Sequence, residues 1–319
     1  MPTKIEWANE VWNPVVGCTP ASAGCDHCYA KRIFERNLSF HDHKFENPTT
    51  YPNRLDTPFH WKSPRRVFVN SMSDLFHPDV QFEFISKVIN VAFLNPKLTF
   101  MILTKRPSRM LDFFKWVGKS VNLDVAPAPA NVWIGVSAEN QATVDERIPI
   151  LLQVPAAVRF VSVEPMLGPV ELRKVKGDHV NFNVLEKSRF DYANNGFGVG
   201  APMSEGIDWV ICGGESGSGA RFMHPDWVRK LRDQCTANHV PFFFKGWAGF
   251  KYEAANNAVF KDTHEQVPVD AQPMTRKFIG KKRAGRLLDG REWNQIPNES
   301  LLDRSRGLAG LTQNAREVK

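Results

Sequence analysis

The chain has 319 residues, 42% of them apolar and 24% charged, with 41 Lys and Arg against 34 Asp and Glu. That is ordinary for a soluble globular protein with room for one large domain or two smaller ones. It contains no run of about 18 apolar residues, which excludes a transmembrane helix, and its first residues, MPTKIEWANEVWNP, lack the basic and apolar regions of a signal peptide. The expected location is therefore the cytoplasm, without membrane association. Clustered cysteines there point to metal binding or catalysis rather than disulfides. The net charge of +7 is compatible with a polyanionic partner.

In chain order, a strand-like run at Trp12–Val16 leads into VVGCTPASAGCDHCYAKR. Three of the five cysteines fall here as C-x6-C-x2-C: Cys18, Cys25 and Cys28. One C-x2-C pair does not complete a structural zinc site, which wants four protein ligands; His27, His41 or His43 would have to supply the fourth. Three thiolates alone suit an iron–sulfur cluster with one iron left open for a non-protein ligand.

Short apolar runs then alternate with helix-spaced ones. Strands are expected at Arg66–Asn70, Leu98–Leu103, Val132–Val136, Val158–Val163, Trp209–Cys212 and Pro241–Phe244. Helices are expected at Gln81–Leu94, Pro107–Val117, Gln141–Gln153 and His224–Asn238. Strand–helix alternation means βα units on a parallel sheet. With six or seven units, the expected fold class is α/β, a partial or full (β/α) barrel. Cys212 and Cys235 read as buried apolar fillers.

The residues after each strand are polar. They are Ser71, Ser73 and Asp74; Thr104, Lys105 and Arg106; Ser137, Glu139 and Asn140; Glu164; Glu215; and Lys245. In βα barrels the carboxyl ends of the strands carry the active site, and the cysteine loop opens at the same edge. Two segments fall outside the barrel pattern, giving a barrel domain at 1–250 with an insert at about 174–205 and a basic extension at 251–319. The insert Lys174–Glu205 is polar and rich in Asn and Gly, as exposed loops are. Arg276–Arg291, RKFIGKKRAGRLLDGR, holds seven basic residues and one acid. It reads either as a solvated surface loop or as a phosphate-contacting lid through Lys281, Lys282, Arg283 and Arg286. Asp289-Gly290 marks a hairpin turn, and Trp247 and Phe250 are candidates for base stacking.

The loop GCDHCYAKR, with an aromatic after the last cysteine and a basic pair beyond, resembles the cluster-binding loop of the radical S-adenosylmethionine superfamily. The first spacing is six residues where most members have three. The segments WNPVVGC, GCDHCYA, VFVNSMSDLF, LTKRP, IGVSAEN, SVEPMLGP, ICGGESG and KKRAGRLLDG together resemble a phage and prophage branch of that superfamily, over most of the chain outside Lys174–Glu205. The resemblance implies a 4Fe-4S cluster on Cys18, Cys25 and Cys28 and bound S-adenosyl-L-methionine, with a 5′-deoxyadenosyl radical abstracting hydrogen from substrate. On strand order, Ser73, Asp74, Ser137, Glu139, Gly213, Gly214 and Glu215 are then expected toward the cofactor. That leaves Lys105, Glu164 and Lys245 for catalysis and Arg106 for nucleic acid, together with the basic run Lys281, Lys282, Arg283 and Arg286. A reducing partner such as flavodoxin or ferredoxin is implied as well.

Within that branch the resemblance extends to the thymidine isomerase of viral DNA hypermodification, which acts in the host cytoplasm. The reaction moves a glycine on the thymine methyl carbon from attachment through nitrogen to attachment through its α-carbon, in DNA thereby protected from host restriction. Such an enzyme would flip the base out of the duplex. Two other readings stand beside it, a repair lyase of the spore-photoproduct type and a non-enzymatic zinc protein that binds nucleic acid.

Overall fold

The computed structural model describes residues 3, 5–37, 44–177, 180–186, 206–217, 219–254 and 274–297. Its centre is a seven-stranded sheet whose strands follow one another in sequence order. They are β1 (Glu10–Trp12), β2 (Arg65–Val69), β3 (Leu98–Thr104), β4 (Val132–Ser137), β5 (Arg159–Val163), β6 (Trp209–Gly213) and β7 (Phe242–Gly246). Every neighbouring pair is parallel. Helix α1 (Tyr29–Arg36) follows the cysteine loop. Helices α2 (Phe82–Phe93), α3 (Pro107–Ser120), α4 (Gln141–Leu151) and α5 (Pro225–Ala237) fill the crossovers after β2, β3, β4 and β6. The expected α/β class, a partial (β/α) barrel, is the observed one.

Side chains alternate across the strands, as a period of two requires. Val67, Val69, Phe100, Ile102, Val132, Ile134, Val136, Val161 and Val163 belong to the large core shared with the helices. The intervening Phe68, Met101, Trp133, Phe160, Trp209, Ile211 and Phe243 form a second core on the concave face, with Trp7. The Trp7 ring sits 4.7 Å from Phe68, 6.5 Å from Phe160 and 6.1 Å from Trp209. Trp209 in turn lies 6.0 Å from Trp133 and 6.2 Å from Phe243. Large tilted and edge-on aromatics thus fill the concave interior.

The strands come out within one or two residues of the expected runs, with one correction. Trp12–Val16 is not one strand. β1 ends at Trp12, and Val15–Val16 pairs antiparallel with Thr49–Thr50 in a separate ribbon. Pro14 between them has no N–H to give a ladder, so the chain leaves the sheet there and turns into the cysteine loop. The loop closes on α1, a helix absent from the sequence-based expectations.

Beyond β7 lie an antiparallel pair, β8 (Phe250–Ala254) with β9 (Met274–Phe278), one helical turn α6 (Lys281–Ala284), and a small hairpin of β10 (Leu287–Leu288) with β11 (Arg291–Glu292). Asp289 and Gly290 form the hairpin's turn, both at positive φ (52° and 80°), as the dipeptide demands. This hairpin is not a lid over the barrel mouth. Asp289 is held by Arg229 and Arg232 of α5, and Asn294 bridges to Phe243 on β7, so it covers the open edge of the sheet. Most of the Lys174–Glu205 insert lies outside the described residues, as do His41 and His43.

Candidate active site

At the carboxyl ends of the strands a cavity of about 470 Å³ opens. Its floor is the concave aromatic core, through Trp7, Phe68 and Leu103. Its wall takes one polar residue from nearly every strand end: Ser71, Lys105, Ser137, Glu164, Glu215 and Lys245. Cys25, His27, Cys28 and Tyr29 close one side, and Lys281 reaches in from α6.

The three loop cysteines are free and half-buried. Cys18 and Cys28 pack against a small core of Val16, Ala30, Phe34 and Phe45. Two of the sulfurs meet a donor: the Ala21 amide points at Cys25 Sγ (3.4 Å) and Arg106 Nη1 at Cys18 Sγ (3.6 Å). Burial pushes the Cys18 thiol up to about 11, with Asp74 adding to the rise and Arg106 opposing it.

Among the described residues, no group of three or more His, Cys, Asp or Glu side chains is set to hold a metal ion. His27, one of the candidates for a fourth zinc ligand, pairs through Nδ1 with Glu215 (2.9 Å). With His27 taken by Glu215, the metal-binding donors left in the described part of the loop are its three thiols, which are not gathered into one ligand set, with N–H groups aimed at two of the sulfurs. That chemistry fits an iron–sulfur cluster, whose thiolates are normally hydrogen-bonded by the protein.

Three buried carboxylates hold the loop in place. Glu139, at 1% exposure, accepts from Ser22 (2.7 Å) in the loop and from Arg147 (3.2 Å) on α4, with Lys105 3.8 Å away. Burial pushes the Glu139 carboxyl upward, but Lys105, Arg147 and Ser22 outweigh it and hold it below the usual carboxylate value. Gly24 lies so close to Glu139 that a Cβ there would strike the carboxylate. Glu215 is gripped by Arg221 (2.5 Å) and His27, and Arg221 also reaches Asp26 and the Ala23 carbonyl. Burial raises the Glu215 carboxyl, and Arg221 and His27 more than reverse this.

The third carboxylate, Asp74, accepts from the Thr104 hydroxyl (2.8 Å), the Phe76 and Lys105 amides (3.0 and 3.1 Å) and Arg106 (3.1 Å). Of the residues expected to meet the cofactor, Ser137, Gly214 and Glu215 line the cavity. Ser73, Asp74 and Glu139 stand behind it; the Ser73 hydroxyl donates a hydrogen bond to the Val15 carbonyl (2.9 Å). Gly213 lies against Lys245 and Glu164, where a Cβ would come within 3.1 Å of the Lys245 side chain.

Lys105, Glu164 and Lys245 all face the cavity, and Lys245 Nζ donates to Glu164 Oε1 at 2.6 Å. Arg106 is not placed for nucleic acid: its side chain is 14% exposed and turned inward to Asp74, Thr19 and Cys18. Lys281 pairs with Glu6 (2.7 Å) at the cavity edge, while Lys282 and Arg283 are exposed. Arg286 packs over Phe243 (4.8 Å) and bonds to the Phe244 carbonyl and Asn294, which leaves it on the sheet edge.

Trp247 and Phe250 are not stacking platforms either. Phe250 is buried between Phe278 and Arg276, and Trp247 packs on Phe244 and Tyr252. Cys212 and Cys235 are fully buried, as expected of apolar fillers. Sequence reasoning missed Trp7, Ser22, Arg147 and Arg221, none of which stands at a strand end.

Fold and site together define a parallel α/β protein whose strand ends and cysteine loop enclose a cavity with an apolar floor and polar groups at the strand ends. The chain belongs to the family described as Protein of unknown function (DUF5131), whose model matches residues 2–297. No curated protein matches it. Solved structures similar to it include three mutant forms of spore photoproduct lyase. A tyrosine-to-phenylalanine mutant has 10% identity over 73% of this chain and 75% of its own, with a TM-score of 0.40. A cysteine-to-serine mutant has 12% identity over 97% and 74%, with a TM-score of 0.37. A double mutant with bound AdoMet and dinucleoside spore photoproduct has 13% identity over 79% and 67%, also at 0.37. At these scores the likeness does not bear on chemistry.

Proposed function

We propose that this protein is a radical S-adenosylmethionine enzyme that isomerises a glycine-substituted thymidine in DNA. The observation that supports this most is that Cys25 and Cys28 wall the same cavity as Lys105, Glu164 and Lys245. Cys18, Cys25 and Cys28 would hold the cluster. When bound, the cluster and S-adenosylmethionine supply a one-electron route to hydrogen abstraction from an unactivated carbon.

The chain's own residues would supply position and shelter. Of the ammonium groups that line the cavity, Lys105 and Lys245 stand at strand ends, and either would match a glycine carboxylate by a charge-assisted hydrogen bond. Glu164, beside Lys245, would accept from the glycine nitrogen. The aromatic floor around Trp7 and Phe68 keeps water out from below and suits a thymine ring.

The overall change balances without an external oxidant. The bond from the thymine methylene to the glycine nitrogen breaks. A bond from that methylene to the glycine α-carbon forms. One hydrogen passes from carbon to nitrogen. The exposed Lys282 and Arg283 beside the cavity are suited to phosphates flanking a flipped base.

The test is anaerobic reconstitution with iron and sulfide, then reduction with added S-adenosylmethionine, beside a Cys25→Ala control. Release of 5′-deoxyadenosine that is lost in the control supports the radical class. Conversion of N-linked to C-linked glycinylthymidine in DNA supports the isomerase. Cleavage of thymine dimers in irradiated DNA with no such conversion would put the repair lyase ahead. A colourless protein with one bound zinc and intact S-adenosylmethionine would refute the whole reading.

A further inference from the structure

Arg106 sits one residue before α3 and points away from solvent. Its Nη1 donates to both Cys18 Sγ (3.6 Å) and Asp74 Oδ2 (3.1 Å), and its Nη2 to the Thr19 carbonyl (2.8 Å) and hydroxyl (3.2 Å). The fork is therefore spent inside the protein. Asp74 is in turn fixed by Thr104 and by the Phe76 and Lys105 amides. The result is a chain of contacts running from the ends of β2 and β3 to the first cysteine.

We propose that Arg106 is a positioning residue that raises the reduction potential of a cluster held by Cys18, with Asp74 opposing it; this rests on the cysteines being cluster ligands. Reduction adds one negative charge to the cluster. A guanidinium donating to a ligand sulfur favours the state with more negative charge, and a nearby carboxylate disfavours it. Both side chains are largely buried, at 14% and 8% exposure, so salt screens them little.

Two variants separate this from a purely structural staple, because both break the same ion pair. Arg106→Gln removes the positive charge and the donor fork. Asp74→Asn keeps an acceptor oxygen and removes the negative charge. The full-length reconstituted protein is titrated with dithionite and redox mediators, and the cluster is followed by electron paramagnetic resonance, with iron content measured in parallel.

Arg106→Gln is expected to lower the midpoint potential, by about a tenfold change in the one-electron equilibrium, or about 59 mV. Asp74→Asn is expected to raise it. Shifts of the same sign, or none at full iron content, would overturn the proposal. If Arg106→Gln takes up no iron, Arg106→Lys decides. It keeps the charge but cannot serve Cys18, Asp74 and Thr19 together, so a potential below wild type supports the proposal and one at or above it refutes it. A wild-type protein that binds no cluster removes the cysteine reading itself, which is a different result from unchanged potentials.

Discussion

Trp7 comes from a short N-terminal segment outside the strands and helices, yet it is the ring on which the concave core closes. It is 2% exposed and touches Phe68, Phe160 and Trp209. Trp7→Ala would remove most of that contact. Deleting a buried Trp costs about 3–5 kcal/mol, in lost transfer energy and in the void left behind. Trp7 also lines the cavity, so water can enter the void and the lower end, about 3 kcal/mol, is expected. Among the described residues, the Trp7 Nε1 has no hydrogen-bond partner. Trp7→Phe therefore gives up no bond and should cost less than about 1.5 kcal/mol. Urea unfolding followed by circular dichroism reads both as midpoint shifts at unchanged slope. A Trp7→Ala loss below about 1 kcal/mol, or equal losses in the two variants, would refute the account of the aromatic floor.

Three further outcomes follow from the charges. Lys245→Met removes a cavity ammonium, and a lost hydrogen bond to a charged group is worth about 1.5–3 kcal/mol; kcat/KM for a glycine-bearing substrate should fall about 10- to 150-fold, and a substrate without the carboxylate should be unaffected. Glu139→Gln leaves Arg147 buried without its counter-charge, which should cost about 3 kcal/mol at neutral pH. The Glu139 carboxyl is held below its ordinary value of 4.5, so its contribution is full above pH 4.5 and lost as pH falls through the lowered folded value. Urea midpoints from about pH 7 to about pH 3 should therefore converge for wild type and Glu139→Gln in acid, and parallel curves would sink the assignment. Finally, the double variant Lys282→Ala/Arg283→Ala should reduce the slope of log affinity for duplex DNA against log salt by about 1.8, at about 0.9 per phosphate contact. An unchanged slope would mean that α6 does not touch the backbone.

The sheet was legible because buried parallel strands are continuous apolar runs. VRFVSV and WVIC stand out against the helix-spaced segments between them, and the polar residue after each run marked the cavity wall at Lys105, Glu164 and Lys245. Charge pairing was harder to see. Asp74 and Arg106 look alike as polar strand-end residues, but a strand-end carboxylate is as easily consumed by neighbouring amides as offered to a ligand. Trp247 and Phe250 failed as stacking candidates because the chain turns after β7: Phe250 opens β8 and is buried against Phe278 of β9, and Trp247 packs between Phe244 and Tyr252. Trp7 and Arg221 carried no signal, since one lies before the first strand and the other in the stretch between β6 and α5. Their roles exist only through contacts with residues distant in sequence.

The charged residues divide by type as well as by place. The buried carboxylates at the strand ends are held by arginine: Asp74 by Arg106, Glu139 by Arg147 and Glu215 by Arg221. Facing the cavity the cations are lysines: Lys105, Lys245 and Lys281. A guanidinium spends a rigid fork on several acceptors at once and so locks a loop in place. An ammonium is a point charge on a flexible stem, with donors left over after one contact. Lys245 keeps Glu164 as its hydrogen-bond partner and Lys105 lies only 3.8 Å from an already saturated Glu139. The arginines therefore fix the cysteine loop against the strand ends, and the lysines remain able to exchange a protein carboxylate for one brought by a ligand. That division lets one edge of the sheet hold its cysteine loop by rigid contacts while the cavity keeps adjustable positive charge, which is what the proposed function would need for a substrate carboxylate.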